Sequence, residues 1–216
     1  MIRTVLFGLT ALAAGTMPLS AKASGIEFTP SDMIGWSVEN FAGLTDYEVV
    51  QVDGREALHA QCQDAGSGLF LEREIDLTET PIMEWSWRVD ETFGPDIDET
   101  TRAGDDYPVR VYVVQDGGIL QWRSRAINYV WASAQPAGGH WPNAYVSQAR
   151  VVALQSGEPD SPGQWVTERR NVREDFKTFH DRDLDSIDAV ALMTDCNDVG
   201  GSIEGWYGSI RFLPEG

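Results

Sequence analysis

The stretch Gly104-Asp105-Asp106-Tyr107-Pro108 sets two carboxylates side by side just before the strand-like run Val109–Gln115. Adjacent residues on a strand point to opposite faces, so the pair acts together only where the backbone turns, and Gly104 allows a turn. A second acidic loop, Asp195-Cys196-Asn197-Asp198, is followed by Glu204. Spaced oxygen donors suit a hard cation. Asp105, Asp106, Asp195 and Asn197 are therefore a candidate Ca²⁺ site if the two loops meet, although the spacing is not that of an EF-hand. The competing readings are solvated acidic loops, or an acid–base pair such as Asp106 and Glu204 acting on a polysaccharide.

A second set of residues is aromatic. Tyr129, Trp131, His140, Trp141 and Tyr145 crowd the segment Asn128–Tyr145, together with Asn128 and Asn143. Flat rings stack on the apolar face of a sugar and amides bind its hydroxyls, so Tyr129, Trp131, His140, Trp141 and Asn143 are candidate ligand residues. The alternative is a loop anchored into the core by Trp131 and Trp141. Arg110 and Tyr112 join the candidates because alternation puts them opposite Val109, Val111 and Val113. Arg123 with Arg125, and Arg88 with Ser86 and Glu84, likewise share faces. If these faces line one sheet, they form a partly cationic surface fit for a carboxylate such as a uronate, or they pair internally with the more numerous acids. Asp106, four residues before Arg110, is expected in one polar network with it.

The signatures of serine hydrolases, zinc peptidases, P-loop and dinucleotide-binding proteins are absent. The three histidines, His59, His140 and His180, lack ligand spacing. A lyase-type trio of Tyr129, His140 and Arg110 is conceivable but nothing requires it. Ca²⁺ is the one cofactor the residues point to.

The elements that must position these groups read as strands. Tyr47–Gln61 forms two apolar runs about Asp53-Gly54, a hairpin signal. Leu69–Leu77, Ile82–Val89, Pro108–Gln115, Ile119–Ala132, Ala144–Ser156, Gln164–Val172, Ile187–Thr194 and Trp206–Leu213 follow, with one short helix near Val172–Phe179. In Ile82–Val89 the alternation assigns Met83, Trp85, Trp87 and Val89 to one face. Many strands and one helix predict an all-β fold, a two-sheet antiparallel β-sandwich, with a closed barrel as the alternative.

The first residues combine Arg3, an apolar run from Thr4 to Leu19 and the small-x-small sequence Ala21-Lys22-Ala23, the pattern of a signal peptide cut after Ala23. Residues 24–216 are then expected to form one domain in the periplasm or outside the cell. The 216-residue chain is 42% apolar, carries a net charge of −18, and loses two further positive charges with Arg3 and Lys22. Such a field disfavours nucleic acid and anionic lipid, and no later segment is apolar enough to insert into a membrane. The two cysteines, Cys62 and Cys196, suit a single disulfide in an oxidising compartment, the alternative being two buried thiols.

The stretches SGLFLEREIDLTETPIMEWSWRVD, AGDDYPVRVYVVQDGG, INYVWASAQPAGGHWPNAYV, QWVTERRNVREDF and IDAVALMTDCNDVGGSIEGWYGSIRF resemble the bacterial domain-of-unknown-function family 3047, from about Gly66 onward. Similar sequences tend to have a small polar residue at position 196 and no cysteine near position 62, which implies that the cysteine pair is a staple. The C-terminal stretch from Asp188 also resembles the last strands of galactose-binding-like jelly rolls, many of them carbohydrate-binding modules, and this implies a jelly-roll sandwich. The expected function is an exported non-catalytic domain that binds a saccharide or other polar ligand. A polysaccharide-acting hydrolase or lyase, or a periplasmic structural partner, are the competing readings.

Overall fold

The computed structural model describes residues 25–118 and 123–216. The expected cleavage point after Ala23 and the residues Ile119–Trp122 lie outside them. The described residues form a two-sheet β-sandwich. Its elements are β1 (Ile26–Phe28), α1 (Pro30–Met33), β2 (Ser37–Ala42), β3 (Asp46–Val52), β4 (Arg55–Gln63), β5 (Gly66–Asp76), β6 (Ile82–Val89), β7 (Arg110–Gln115), β8 (Arg125–Ala132), β9 (His140–Pro142), β10 (Ala149–Ser156), β11 (Trp165–Asn171), α2 (Val172–His180), β12 (Ser186–Asp195) and β13 (Ser202–Leu213). Sheet A runs β11-β6-β13-β4-β3 with β1 on β13, and sheet B runs β2-β5-β12-β7-β8-β10-β9. All pairings are antiparallel except β8 with β10, which run parallel. The segment 133–148 between them is long enough to return the chain to the same end, which a hairpin turn is not.

The alternation of the sequence explains the core. Met83, Trp85, Trp87 and Val89 of β6 face Val111, Val113, Ile127, Tyr129, Trp131, Val190 and Leu192 of sheet B across one shared core. The hairpin β3–β4 turns at Asp53 and Gly54, both with positive φ, as a two-residue turn of this twist demands. Helix α2 is capped by the Asn171 side chain, which accepts the Glu174 N–H at 3.1 Å, and its acidic first turn and basic last turn suit the helix dipole. At Gly205 the strand β13 passes so close to the chain before β7 that a Cβ would lie 2.3 Å from the Pro108 carbonyl oxygen. That contact fixes the approach of the acidic stretch 105–108 to the sandwich.

Cys62 on β4 and Cys196 after β12 form a disulfide with Cα atoms 6.1 Å apart, spanning 134 residues. It ties the end of sheet A to the loop that follows sheet B's β12. Among the described residues no helix is long and apolar enough to cross a membrane.

Candidate functional site

The inward residues of β7 and β8 leave Arg110, Tyr112 and Val114, and Ala126, Asn128, Val130 and Ala132, on the outer face of sheet B. Part of this face is roofed. Tyr107, from the stretch before β7, and Trp141 of β9 pack on Val130, Ala132, Val151 and Ala153 as a second small core. The roof is held by Glu99, whose carboxylate accepts the N–H groups of Ser133 (2.6 Å), Ala134 (3.1 Å) and Gln135 (2.8 Å), and whose carbonyl accepts the Trp141 indole N–H at 3.0 Å. The uncovered part is a cleft of about 600 Å³, within the roughly 300–1,000 Å³ usual for small-molecule sites.

Four elements supply its walls. β2 contributes Phe41 and β5 Phe70, whose rings sit 6.3 Å apart, and Phe70 is 6.1 Å from the ring of Tyr112. The loop after β9 contributes Asn143, Tyr145 and Val146, and the loop after β12 contributes Asn197 and Asp198. The two loops meet where the Tyr145 hydroxyl donates to Asp198 Oδ1 at 2.5 Å. That bond, with burial, holds the Tyr145 phenol up at about 12.

Arg110 lies at the cleft's polar end, 3% exposed. Its Nε donates to Asp195 Oδ1 at 2.9 Å, its Nη2 pairs with Asp195 Oδ2, and Nη2 also donates to the Asp105 carbonyl at 2.8 Å. The guanidinium sits between two rings, 4.6 Å from Tyr107 and 5.9 Å from Tyr112. Burial disfavours its charge, but the surrounding Tyr112, Asp105, Tyr107 and Asp106 outweigh this and raise its pKa above the usual value. Burial pushes the Tyr112 hydroxyl up to about 12. Burial also raises the Asp105 carboxyl, against the pull of Arg110 and of Asn143, which donates to Asp105 Oδ2 at 2.7 Å. Asp105 Oδ1 is 3.8 Å from Arg110 Nη1 and has no hydrogen-bond partner. Asn128 Oδ1, on the cleft floor, has none either.

The candidate residues thus divide. Arg110, Tyr112 and Asn143 line the cleft. Tyr129 and Trp131 do not: they point into the core between the sheets, where Tyr129 donates to Asp175 at 2.7 Å and the Trp131 indole to the Gly157 carbonyl at 2.9 Å. Trp141 is an anchor under the roof, and His140 is exposed on β9 beside Phe179. Tyr129, His140 and Arg110 therefore face three different surroundings, and the lyase-type trio is not assembled. The loops holding Asp105, Asp106, Asp195 and Asn197 do meet, but around a guanidinium. Among the described residues there is no group of three or more His, Cys, Asp or Glu side chains arranged to hold a metal ion.

Two pairings also differ from expectation. Arg110 pairs with Asp195 and Asp105, not Asp106, because β7 begins only at Arg110 and the chain bends before it. Asp106 instead accepts the N–H groups of Asp198 (2.8 Å) and Val199 (2.6 Å), and burial raises its carboxyl despite them. Glu204 lies on sheet A's outer face, bonded to His59 (3.1 Å) and Gln61 (3.0 Å), so it forms no acid–base pair with Asp106. Arg88 also sits on sheet A, over Trp206 and paired with Asp90 at 2.7 Å, so the basic side chains do not share one surface.

Phe41, Phe70 and Asp198 line the cleft without having been candidates from the sequence, whereas Asn128 and Tyr145 belong to the aromatic and amide set of the segment Asn128–Tyr145. The signal for Asn128 was present: alternation in Arg125–Ala132 sets it opposite Tyr129 and Trp131. Phe41 carried no such signal, since it meets the cleft from an exposed edge strand.

Residues 34–211 match the family described as "Protein of unknown function (DUF3047)". The chain belongs to this family. The match begins at residue 34, well before Gly66, near which the quoted stretches that resemble the family start. No curated protein matches the chain. Three solved structures show what this DUF3047 chain is similar to in outline. The glycoside hydrolase domain of Endo-D from Streptococcus pneumoniae R6 aligns at 10% identity and TM-score 0.45 over 82% of this chain, which spans only 21% of that one. The family 11 carbohydrate-binding module from Clostridium thermocellum aligns at 11% and 0.38, covering 92% of this chain and 94% of that one. A cellulase derived from Cel12A of Rhodothermus marinus aligns at 10% and 0.43, covering 87% and 100%. Likeness at this level speaks to neither ligand nor chemistry.

Proposed function

We propose that this DUF3047 protein is an exported, non-catalytic domain that binds a saccharide or another polyhydroxylated ligand in the cleft on the outer face of sheet B. One observation carries the reading. The cleft joins aromatic walls, Phe41, Phe70, Tyr112 and Tyr145, to buried acceptors without partners, Asp105 Oδ1 and Asn128 Oδ1. Apolar rings supply contact area, and orphaned acceptors call for a ligand that donates hydrogen bonds, which a hydroxylated ring does along its edge. The disulfide and the signal-like residues 1–23 support the exported location.

Support for a non-catalytic role is local. Asp105 and Asp195 serve the same guanidinium, Asp198 is engaged by Tyr145, and Asp106 accepts two backbone N–H groups, so each carboxylate at the cleft's polar end already has a structural partner. The test is calorimetric titration of the purified protein with a panel of oligosaccharides, repeated for Phe70→Ala and Asn128→Ala, with reducing ends assayed in parallel. The expected result is saturable binding to some member of the panel, weakened by both substitutions, without new reducing ends. Binding to none, or binding indifferent to both substitutions, overturns the site. New reducing ends overturn the non-catalytic assignment.

A further inference from the structure

We infer that the saccharide taken by this cleft carries a protonated amine. The inference rests on the saccharide reading above and specifies its class. It begins from the charges that line the cleft: Asp105, Asp195 and Asp198 against the guanidinium of Arg110. Asp106, fully buried behind them, adds a further carboxylate. The positive charge is already engaged by both oxygens of Asp195 and by the Asp105 carbonyl. An anionic sugar such as a uronate therefore meets an excess of carboxylates and a guanidinium whose fork is already turned inward.

The polar atoms left without partners decide the sign. Asp105 is 3% exposed and Asn128 2% exposed, and in each the atom lacking a partner is an acceptor, Oδ1. Both residues line the same cleft. A buried carboxylate oxygen gains more from a charged donor than from a neutral one, because a charge-assisted hydrogen bond is stronger and offsets its desolvation. An ammonium group on a sugar ring brings three donors and one positive charge to that oxygen. The rings of Phe70 and Tyr112, 6.1 Å apart, flank the same space and present π faces that accept a cation as readily as a sugar face.

The experiment compares three oligomers of equal length by calorimetry: a glucosamine tetramer, its fully N-acetylated counterpart and a glucose tetramer. The glucosamine tetramer is expected to bind about tenfold tighter than the other two, the order set by one hydrogen bond to a charged group. That advantage should shrink as salt is raised from low to physiological strength. Because the whole chain is acidic, a polycation also feels its general field, so two variants separate site from field. Asp105→Asn should abolish the advantage. Glu48→Gln, an exposed residue of β3 on the other sheet, removes the same charge and should leave it intact.

Equal or better binding of the acetylated or glucose tetramer overturns the amine assignment while the saccharide reading stands. Equal losses in the two variants also overturn it. Failure of the glucosamine tetramer to bind wild type overturns the amine assignment, and the saccharide reading is then decided by the wider oligosaccharide panel. Should Asp105→Asn not fold, Asn128→Ala takes its place, and an undiminished preference there overturns the proposed contact.

Discussion

Replacing Arg110 with alanine tests whether the acidic stretch before β7 is scaffold. The wild-type guanidinium is 3% exposed and its main partner Asp195 2% exposed. The side chain holds both oxygens of Asp195 and the Asp105 carbonyl, and it lies 4.6 Å from the Tyr107 ring. Deleting it leaves the Asp195 carboxylate, among the described residues, with the Tyr107 N–H at 3.2 Å as its donor. It also removes the nearest cation from Asp105 Oδ1. Stranding one partner of a buried pair costs about 3–5 kcal/mol, and losing a desolvated cation–π contact adds roughly 1–2. Protonation of the stranded carboxyls returns part of this, so the expected loss at neutral pH is about 4 kcal/mol, close to a thousandfold in the folding equilibrium. Urea denaturation followed by tryptophan fluorescence measures it, and the loss should diminish in mildly acidic buffer. The double variant Arg110→Met/Asp195→Leu should recover most of the stability, since a buried pair replaced by apolar groups of similar size is often neutral. A loss below about 1 kcal/mol for Arg110→Ala, in the range of exposed pairs, would refute the reasoning.

Further tests address other parts of the molecule. Reduction, or Cys62→Ala with Cys196→Ala, should cost about 4–5 kcal/mol on chain-entropy grounds for a loop of 134 residues, and intact mass should differ by roughly two daltons on reduction. Two alkylatable thiols in unreduced, denatured protein would contradict the bridge. Burial raises the Asp106 carboxyl, so this group's contribution is present below its unfolded pKa of about 3.9 and lost as pH rises through the higher folded value. Asp106→Asn should therefore gain on wild type as pH climbs out of the carboxylate range towards neutral, and the reverse trend would contradict the sign. Ca²⁺ binding between Asp105 and Asp195 has to displace Arg110, so wild type should melt alike in millimolar Ca²⁺ and EDTA while Arg110→Ala gains stability from Ca²⁺. A wild-type shift lost in Asp195→Ala would overturn that.

Periodicity is what made the fold legible. Alternation in Ile82–Val89 and Val109–Gln115 follows from burying one face of each strand, so Trp85, Trp87, Val111 and Val113 fall where the pattern puts them. The Asp53-Gly54 turn was equally readable, because its positive φ angles demand such residues. The parallel pairing of β10 with β8 was not, since strand direction depends on where a sixteen-residue segment leads the chain and not on local composition. β2 escaped for the opposite reason. All six of its residues are exposed, so no alternation marks it.

The site was half legible, and the division has a physical cause. Composition alone singles out aromatic-rich and acidic stretches, but their role depends on which sheet face is roofed. Trp131 and Trp141 look alike in sequence, yet one fills the core and the other fastens the roof over Val130 and Ala132. Where that roof ends, Asn128 and Tyr112 are left at the floor of an open space. The same strand β8 thus carries a core face, a covered outer face and a cleft floor within eight residues. Arg110 marks the boundary. With Asp195 and Asp105 it closes the end of the roofed region, and Asp105, which lines the cleft, keeps one buried oxygen, Oδ1, without a hydrogen-bond partner. Scaffold and cleft are therefore one network here: the ion pair that fixes the stretch before β7 also leaves a cleft-lining residue, Asp105, with an unpartnered acceptor.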